Sequence, residues 1–377
     1  MSQACSHDDL CDDHSVAMFE RQKAFLRKYE RYVSPVTLVF GFIFDNLTLR
    51  RIDVLYSNAL LISYLLLSAL SIMALNIHEA RRGERERSET LHAVAVFVMQ
   101  FCLGGLFSAS FLFYSKSGSI ISSWPFLLML IGYIAGNELL RKNYIRLGFQ
   151  ISVWFTALFS YLIFFLPVIL GKMGDAIFLL SGIATLVITG LFIYVLSWFA
   201  PERIRKSAPM LALSVIGLFA VINSLYFSNL IPPIPLALKE AGIYQSVMKI
   251  DEGIYETVGE KQSWFRFFSP DPTIHVEPGQ TLYALTAVFA PVSLATDIVH
   301  VWERYDEKSK AWVTAARVDL GITGGRENGF RTYSEKGNVT PGLWRVDVET
   351  PRGQLIGRLA FRAKPATGEE LLVTDIQ

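Results

Sequence analysis

Cysteine is scarce in this sequence, and its placement excludes most cysteine chemistry. Three of 377 residues are cysteine: Cys5 and Cys11 in the N-terminal tail and Cys102 inside an apolar run. None pair at metal-ligand spacing and none follow Cys102, so the C-terminal part has no disulfide framework. Histidine is almost as rare, with six in the chain. His275 and Glu277 are two apart, and His300 could join them. That spacing is unspecific, so no metal or other cofactor is expected. The nucleophile-elbow and zinc-helix patterns are missing, as is any cysteine–histidine pairing, so no residue is assigned a catalytic role. An excess of positive charge is missing too. From Pro232 onward 16 Lys and Arg face 19 Asp and Glu, a net charge near −3. Nucleic acid is therefore not an expected partner. The N-terminus lacks an apolar core and a small-residue cleavage site, so the first apolar segment is expected to act as the insertion signal.

Charge is also missing from long stretches of the first 231 residues. Positions 93–113 and 148–170 carry none. Each is long enough to cross a hydrocarbon core of about 30 Å as a helix. With 52% hydrophobic residues overall, the chain has too many such runs for a soluble interior. The spacing predicts a polytopic bundle of about seven transmembrane helices in a lipid bilayer, at 35–49, 54–75, 91–114, 120–139, 145–170, 175–199 and 208–230. Alternate breaks hold 15 Lys and Arg against 4. Under the positive-inside rule the N-terminus is cytoplasmic and the C-terminus is outside. The first span is short, carries Asp45 and ends at Arg50 and Arg51. A re-entrant first segment with six crossings is the alternative.

Ionisable residues at membrane depth usually mark a transport path. Asp45, Glu138 and Asp175 all lie near span ends, which disfavours an ion-coupled transporter but leaves neutral or lipid substrates open. Gln100 and Asn223 read as interhelical hydrogen-bond partners, and Gly132 with Gly136 as a close helix contact.

Composition divides the chain into a tail (1–33), the bundle (34–231), an exit linker (232–241) rich in proline, a β-domain (242–366) and a flexible tail (367–377). Apolar stretches at 243–250 and 254–258 flank a turn at 251–253 and read as a hairpin. Trp264, Phe265, Phe267 and Phe268 surround Arg266, as a membrane-interface anchor or the start of a core. Beyond them the period is two, with strands expected at 273–276, 281–289, 297–304, 311–319, 329–333, 343–349 and 355–362. Short strands with such regular turns predict an all-β, immunoglobulin-like sandwich. Alternation assigns Trp344, Val346, Val348, Leu355, Leu359 and Phe361 to its core. It puts Arg345, Asp347, Arg358 and Arg362 outside. On 297–304 it sets Val299 and Val301 inward, with His300, Trp302 and Arg304 outward.

The outward group forms the candidate ligand site: His300, Trp302, Arg304, Arg326, Arg331, Tyr333 and Arg345. Arginine offers a planar fork for carboxylate or phosphate, and aromatic faces take sugar rings or guanidinium groups. Such a set fits an anionic envelope glycan, a lipid headgroup or a protein partner. The competing reading is an arginine–tryptophan ladder neutralised by Glu303 and Asp347.

The same residues carry a resemblance. HVW at 300–302, GGR at 324–326, GLWRVDVETPRGQ at 342–354, IGR at 356–358 with Phe361, and more loosely GFIFD at 41–45, resemble a bacterial membrane family. That family joins a multi-span region to a C-terminal domain of unknown function. The resemblance implies an inner-membrane protein with a periplasmic C-terminal domain and brings no reaction, ligand or catalytic residue. Two function classes remain: an envelope-binding module on a membrane anchor, and a transporter or enzyme acting within the bundle.

Overall fold

The computed structural model of this chain describes residues 55–80, 89–117, 120–139, 146–233, 235–251, 253–260, 272–291, 294–326, 328–366, 368 and 371–377. The expected first span, the N-terminal tail and the aromatic group at 264–268 lie outside them. Among these residues six helices come first: α1 (Leu55–Ala80), α2 (Glu89–Lys116), α3 (Ile120–Leu139), α4 (Leu147–Leu170), α5 (Asp175–Phe199) and α6 (Pro201–Phe227). Five are long and apolar enough to cross a membrane, α2 over Val94–Ser115. The fourth expected span, 120–139, forms as α3 over the same residues. The last begins at Pro201, seven residues before the expected 208, because the basic residues of the break occupy its first turns and proline suits a helix start.

On two of these helices small and polar residues lie on the buried side and apolar ones on the exposed side. The buried stripe of α1 contains Ser57, Asn58, Ser68, Ser71 and Asn76 at helical spacing, while Leu66, Leu67 and Leu70 are exposed. On α5, Phe178, Ser181, Gly182, Thr185 and Thr189 are buried and Ile183, Val187 and Leu191 exposed. A soluble helix shows the reverse; a helix in lipid turns its small and polar residues inward. The central helix is α4, which packs on α1, α2, α5 and α6. Its Trp154 donates to Leu65 O at 3.2 Å and its Tyr161 to Asn58 Oδ1 at 3.3 Å. Gly132 has open space beside it, so the expected close approach is absent there. The tight contacts are Gly105 against Tyr64 and Gly182 against Phe159 and Phe219. Asn223 donates to Phe219 O of its own helix rather than across helices.

The C-terminal part is β-rich. Among the described residues eleven strands follow: β1 (Ala237–Tyr244), β2 (Ser246–Asp251), β3 (Ile254–Glu260), β4 (Thr273–Val276), β5 (Leu282–Phe289), β6 (Ala295–Asp306), β7 (Ala311–Thr323), β8 (Phe330–Lys336), β9 (Gly342–Glu349), β10 (Leu355–Pro365) and β11 (Leu372–Ile376). They form three sheets, ordered β1-β5-β8, β4-β10-β9-β6-β7 and β11-β3-β2. The first two share one core, which holds Ile243, Leu282, Val288, Ile298, Trp302, Trp344, Val346, Val348, Leu359 and Phe361.

Four expectations change here. Residue 355 is only half-buried and Ile356 takes its core place, because a bulge between Leu355 and Gly357 shifts the alternation. The linker assigned to 232–241 already contains the start of β1, whose Ala237 pairs with Phe289. The expected strand 243–250 divides at Gln245, its two parts joining different sheets. The segment 372–376 is not a loose tail but β11, antiparallel to β3.

From Arg51 to Gln377 the chain is one compact unit, and a small junction joins its helical and β regions. Arg352, in the turn between β9 and β10, pairs with Asp175 at the start of α5. Its guanidinium lies over the rings of Tyr226 and Phe227, 4.3 and 4.8 Å from their centroids. The Tyr226 hydroxyl donates to Asp175 at 3.1 Å, and Gln354 donates to Ile231 O at 3.3 Å.

Candidate functional site

The seven candidate residues separate into four places. His300 and Trp302 are at 0% exposure in the core, not on the outer face. Their strand β6 lies inside the five-stranded sheet, and Ile298, His300 and Trp302 point toward the β1-β5-β8 sheet. There Thr286 Oγ1 lies 2.9 Å from His300 Nε2 and Ser334 Oγ 2.9 Å from its Nδ1. Trp302 Nε1 donates to the same Ser334 oxygen at 2.9 Å. Tryptophan can only donate, so Ser334 Oγ accepts from it while also bonding the histidine ring. Burial holds the His300 pKa at about 4, below its usual 6.5. A neutral histidine in a closed hydrogen-bond chain is a core fixture, and Trp302 offers no platform to a ligand.

Arg345 lies on the outer face of the five-stranded sheet. Its Nε is 2.5 Å from Glu303 Oε2 and 3.8 Å from Asp347 Oδ2, and its guanidinium covers the Trp312 ring at 4.4 Å. Arg358 meets both Asp347 oxygens at 2.5 Å. This is the ladder, with Trp312 in place of Trp302. Arg304 stands exposed near the end of β6, apart from these groups.

Arg326, Arg331 and Tyr333 do come together. They meet beside the β2–β3 hairpin, whose turn residue Gly253 (φ 80°) leaves room for the Arg326 guanidinium. Arg326 also lies 4.8 Å from the Phe330 ring centroid. Arg331 donates to Gly253 O at 3.4 Å and to Glu240 Oε2 at 3.1 Å. Its Nε is buried without a hydrogen-bond partner among the described residues. Tyr333 stands 6.0 Å, centroid to centroid, from both Tyr255 and Tyr283. The Tyr255 hydroxyl donates to Arg331 O at 3.2 Å. Its pKa is raised by burial first and by Tyr333 next, with Arg326 and Arg331 pulling it down. The cluster combines guanidinium forks with half-buried phenol rings, a chemistry suited to an anionic group on a flat scaffold. Tyr255, Tyr283 and Glu240 escaped the sequence reading because the sheet pairing that assembles them is long-range.

Sequence reasoning also missed a polar network at one end of the bundle. Asn76 donates to Gln150 Oε1 at 2.7 Å and accepts from Arg203 Nε at 3.0 Å. Arg203 Nη1 lies 3.7 Å from Glu79 Oε2, and His92 Nδ1 4.0 Å from Glu79 Oε1. The signal was present, since Asn76 and Glu79 continue the inward stripe of α1 at helical spacing.

His275 is held by Glu260, with Nδ1 3.1 Å from its carboxylate. Among the described residues no group of three His, Cys, Asp or Glu side chains is placed to hold a metal.

Comparison with known proteins adds one assignment. Residues 295–363, from β6 into β10, match the family described as Protein of unknown function (DUF2914). No curated protein matches the chain. Among solved structures, a β-glucosidase from Listeria innocua in complex with gluconolactone is 10% identical over 33% of this chain and 18% of its own, with a TM-score of 0.18. The chain thus spans less than a fifth of that enzyme. An alkylpurine DNA glycosylase from Pseudomonas fluorescens, bound to DNA with an abasic-site analogue, is 12% identical. It covers 80% of this chain and 97% of its own at a TM-score of 0.20. At such scores neither likeness bears on fold or activity. The C-terminal region therefore carries a domain of unknown function, behind a set of apolar helices.

Proposed function

We propose that this chain is a multi-pass membrane protein of the bacterial inner membrane that presents a periplasmic β-sandwich as a binding module for an anionic envelope glycan or lipid headgroup. Seven crossings, with the N-terminus cytoplasmic, follow from the cation asymmetry. An immunoglobulin-like sandwich is supported by strand order: β10-β9-β6-β7 facing β1-β5-β8, with a buried tryptophan on β6, corresponds to the G-F-C-C′ and A-B-E arrangement. The observation that carries the reading is the meeting of Arg326, Arg331 and Tyr333 with Tyr255 and Tyr283 beside the β2–β3 turn, where Arg331 Nε is buried with no hydrogen-bond partner among the described residues. The test titrates the intact chain in nanodiscs with inorganic phosphate, a uronic-acid oligosaccharide and phosphatidylglycerol vesicles. Arg326→Lys keeps the charge but loses the fork, so it should weaken binding at least about tenfold with unchanged melting. Equal binding by wild type and variant to every probe refutes the reading. A C-terminal alkaline phosphatase fusion should be active; an inactive fusion beside a fluorescent green-protein fusion reverses the orientation.

A second reading, a neutral-substrate or lipid transporter or enzyme in the bundle, is favoured by the Glu79–Arg203–His92 network, since buried ionisable groups in helices of this kind are costly to keep. Complementation of a deletion strain separates the two. If Glu79→Gln fails and Arg326→Lys succeeds, the bundle holds the activity.

A further inference from the structure

The small sheet β11-β3-β2 has apolar side chains on both faces. One face carries Val247 and Tyr255, which pack on Leu285 with Tyr244, Tyr283 and Tyr333 around them. The other should be polar if water covered it. Instead Met248 is 62% exposed, Ile254 41%, Leu372 49% and Ile376 67%, with Ile250 at the β2 bulge 54% exposed. Register puts Met248, Glu256 and Ile376 side by side across the three strands. Glu256 is thus central to the apolar face, half-buried, with no ion-pair partner among the described residues. No Lys or Arg among the described residues shares this face: its other members are Ser246, Asp251, Val258, Glu260 and Thr374.

We propose that this face docks a protein segment that is apolar and carries one basic side chain at its centre, an amphipathic helix or strand whose Lys or Arg meets Glu256. Charge complementarity selects this occupant. An unpaired carboxylate amid apolar side chains is costly to cover unless a cation arrives with the cover. A lipid surface supplies hydrocarbon and anionic headgroups, both unfavourable to Glu256. A second copy brings another unpaired carboxylate and no cation. Apolar patches of this kind on folded domains mark interaction sites. The surface is separate from the arginine–tyrosine cluster, which lies on the other side of β3.

Photo-crosslinking of the full chain in its native cells tests the proposal. p-Benzoylphenylalanine in place of Met248, and separately of Ile376, should give a protein adduct whose mapped site is an apolar segment containing a Lys or Arg. Glu256→Lys should cut its yield at least fivefold while leaving the melting temperature of the purified protein unchanged. Should Glu256→Lys fold poorly, Ile376→Ser with the photoreactive group at 248 must show the same loss. An adduct with a second copy, with lipid or with the chain's own residues 261–271 overturns the assignment. So does the lack of any adduct, or a yield indifferent to both substitutions.

Discussion

Lowering the pH should unfasten the β-region through His300, and the size of the effect follows from its surroundings. The ring is at 0% exposure, bonded to Thr286 and Ser334, and its pKa is held at about 4 by burial against an ordinary 6.5. The folded state therefore binds this proton less tightly than the unfolded state. For a group with a depressed folded pKa the stability is fully present above about pH 6.5 and drains away as pH falls toward 4. Linkage puts the loss at about 2 kcal/mol by pH 5 and about 3 kcal/mol by pH 4. For a domain of this size the first figure corresponds to roughly 8 °C in melting temperature. The assay is thermal melting of the full chain in detergent, followed by near-ultraviolet circular dichroism at pH 7, 6, 5 and 4. His300→Gln removes the titration, so its melting temperature should be lower at pH 7 but should fall less steeply between pH 6.5 and 4. Carboxylates titrate in the same window in both proteins. Among them Glu349, raised by burial first and by Asp347 next, acts in the opposite sense: its raised pKa favours the folded state as pH falls. The comparison of slopes removes these shared contributions. If His300→Gln keeps the full wild-type slope, the histidine is not the sensitive group and the reasoning fails.

Two further outcomes are expected. Trp344→Ala should cost roughly 3–5 kcal/mol, because the side chain is buried in the shared core and its Nε1 donates to Thr340 O at 2.7 Å; a urea midpoint unchanged from wild type would contradict this. Arg352→Ala should free the junction while leaving each region folded, since the guanidinium is the group that touches Asp175, Tyr226 and Phe227 together. Limited proteolysis should then cut between residues 228 and 236 several times faster than in wild type, and an unchanged rate would show that Gln354 and the surrounding packing suffice.

Much of the architecture was legible because the signals are local. Charge-free runs of helical length can do little but span or be buried, and five of the helices follow from them. Alternating apolar residues between turn signals located β4 to β10 to within a few residues, since a strand with one buried face needs that period. The core assignment of Trp344, Val346, Val348, Leu359 and Phe361 followed from the same rule. What tertiary structure decided are the places where both faces of an element are covered, or where the partner is distant. Alternation on β6 could not tell which face meets the opposing sheet, because Val299 and Val301 are apolar while His300 and Trp302 are buried by partners 14 to 34 residues away. β11 looked like a tail because its pairing strand lies more than a hundred residues earlier. The candidate site shows both limits. Arg326, Arg331 and Tyr333 lie close in sequence and stayed together, whereas Arg345 was claimed by Glu303, 42 residues away. Arg352 sits in the turn between β9 and β10, and only the fold brings it to Asp175, 177 residues earlier. Sequence period determines which side of an element avoids water; chain topology determines what stands on that side.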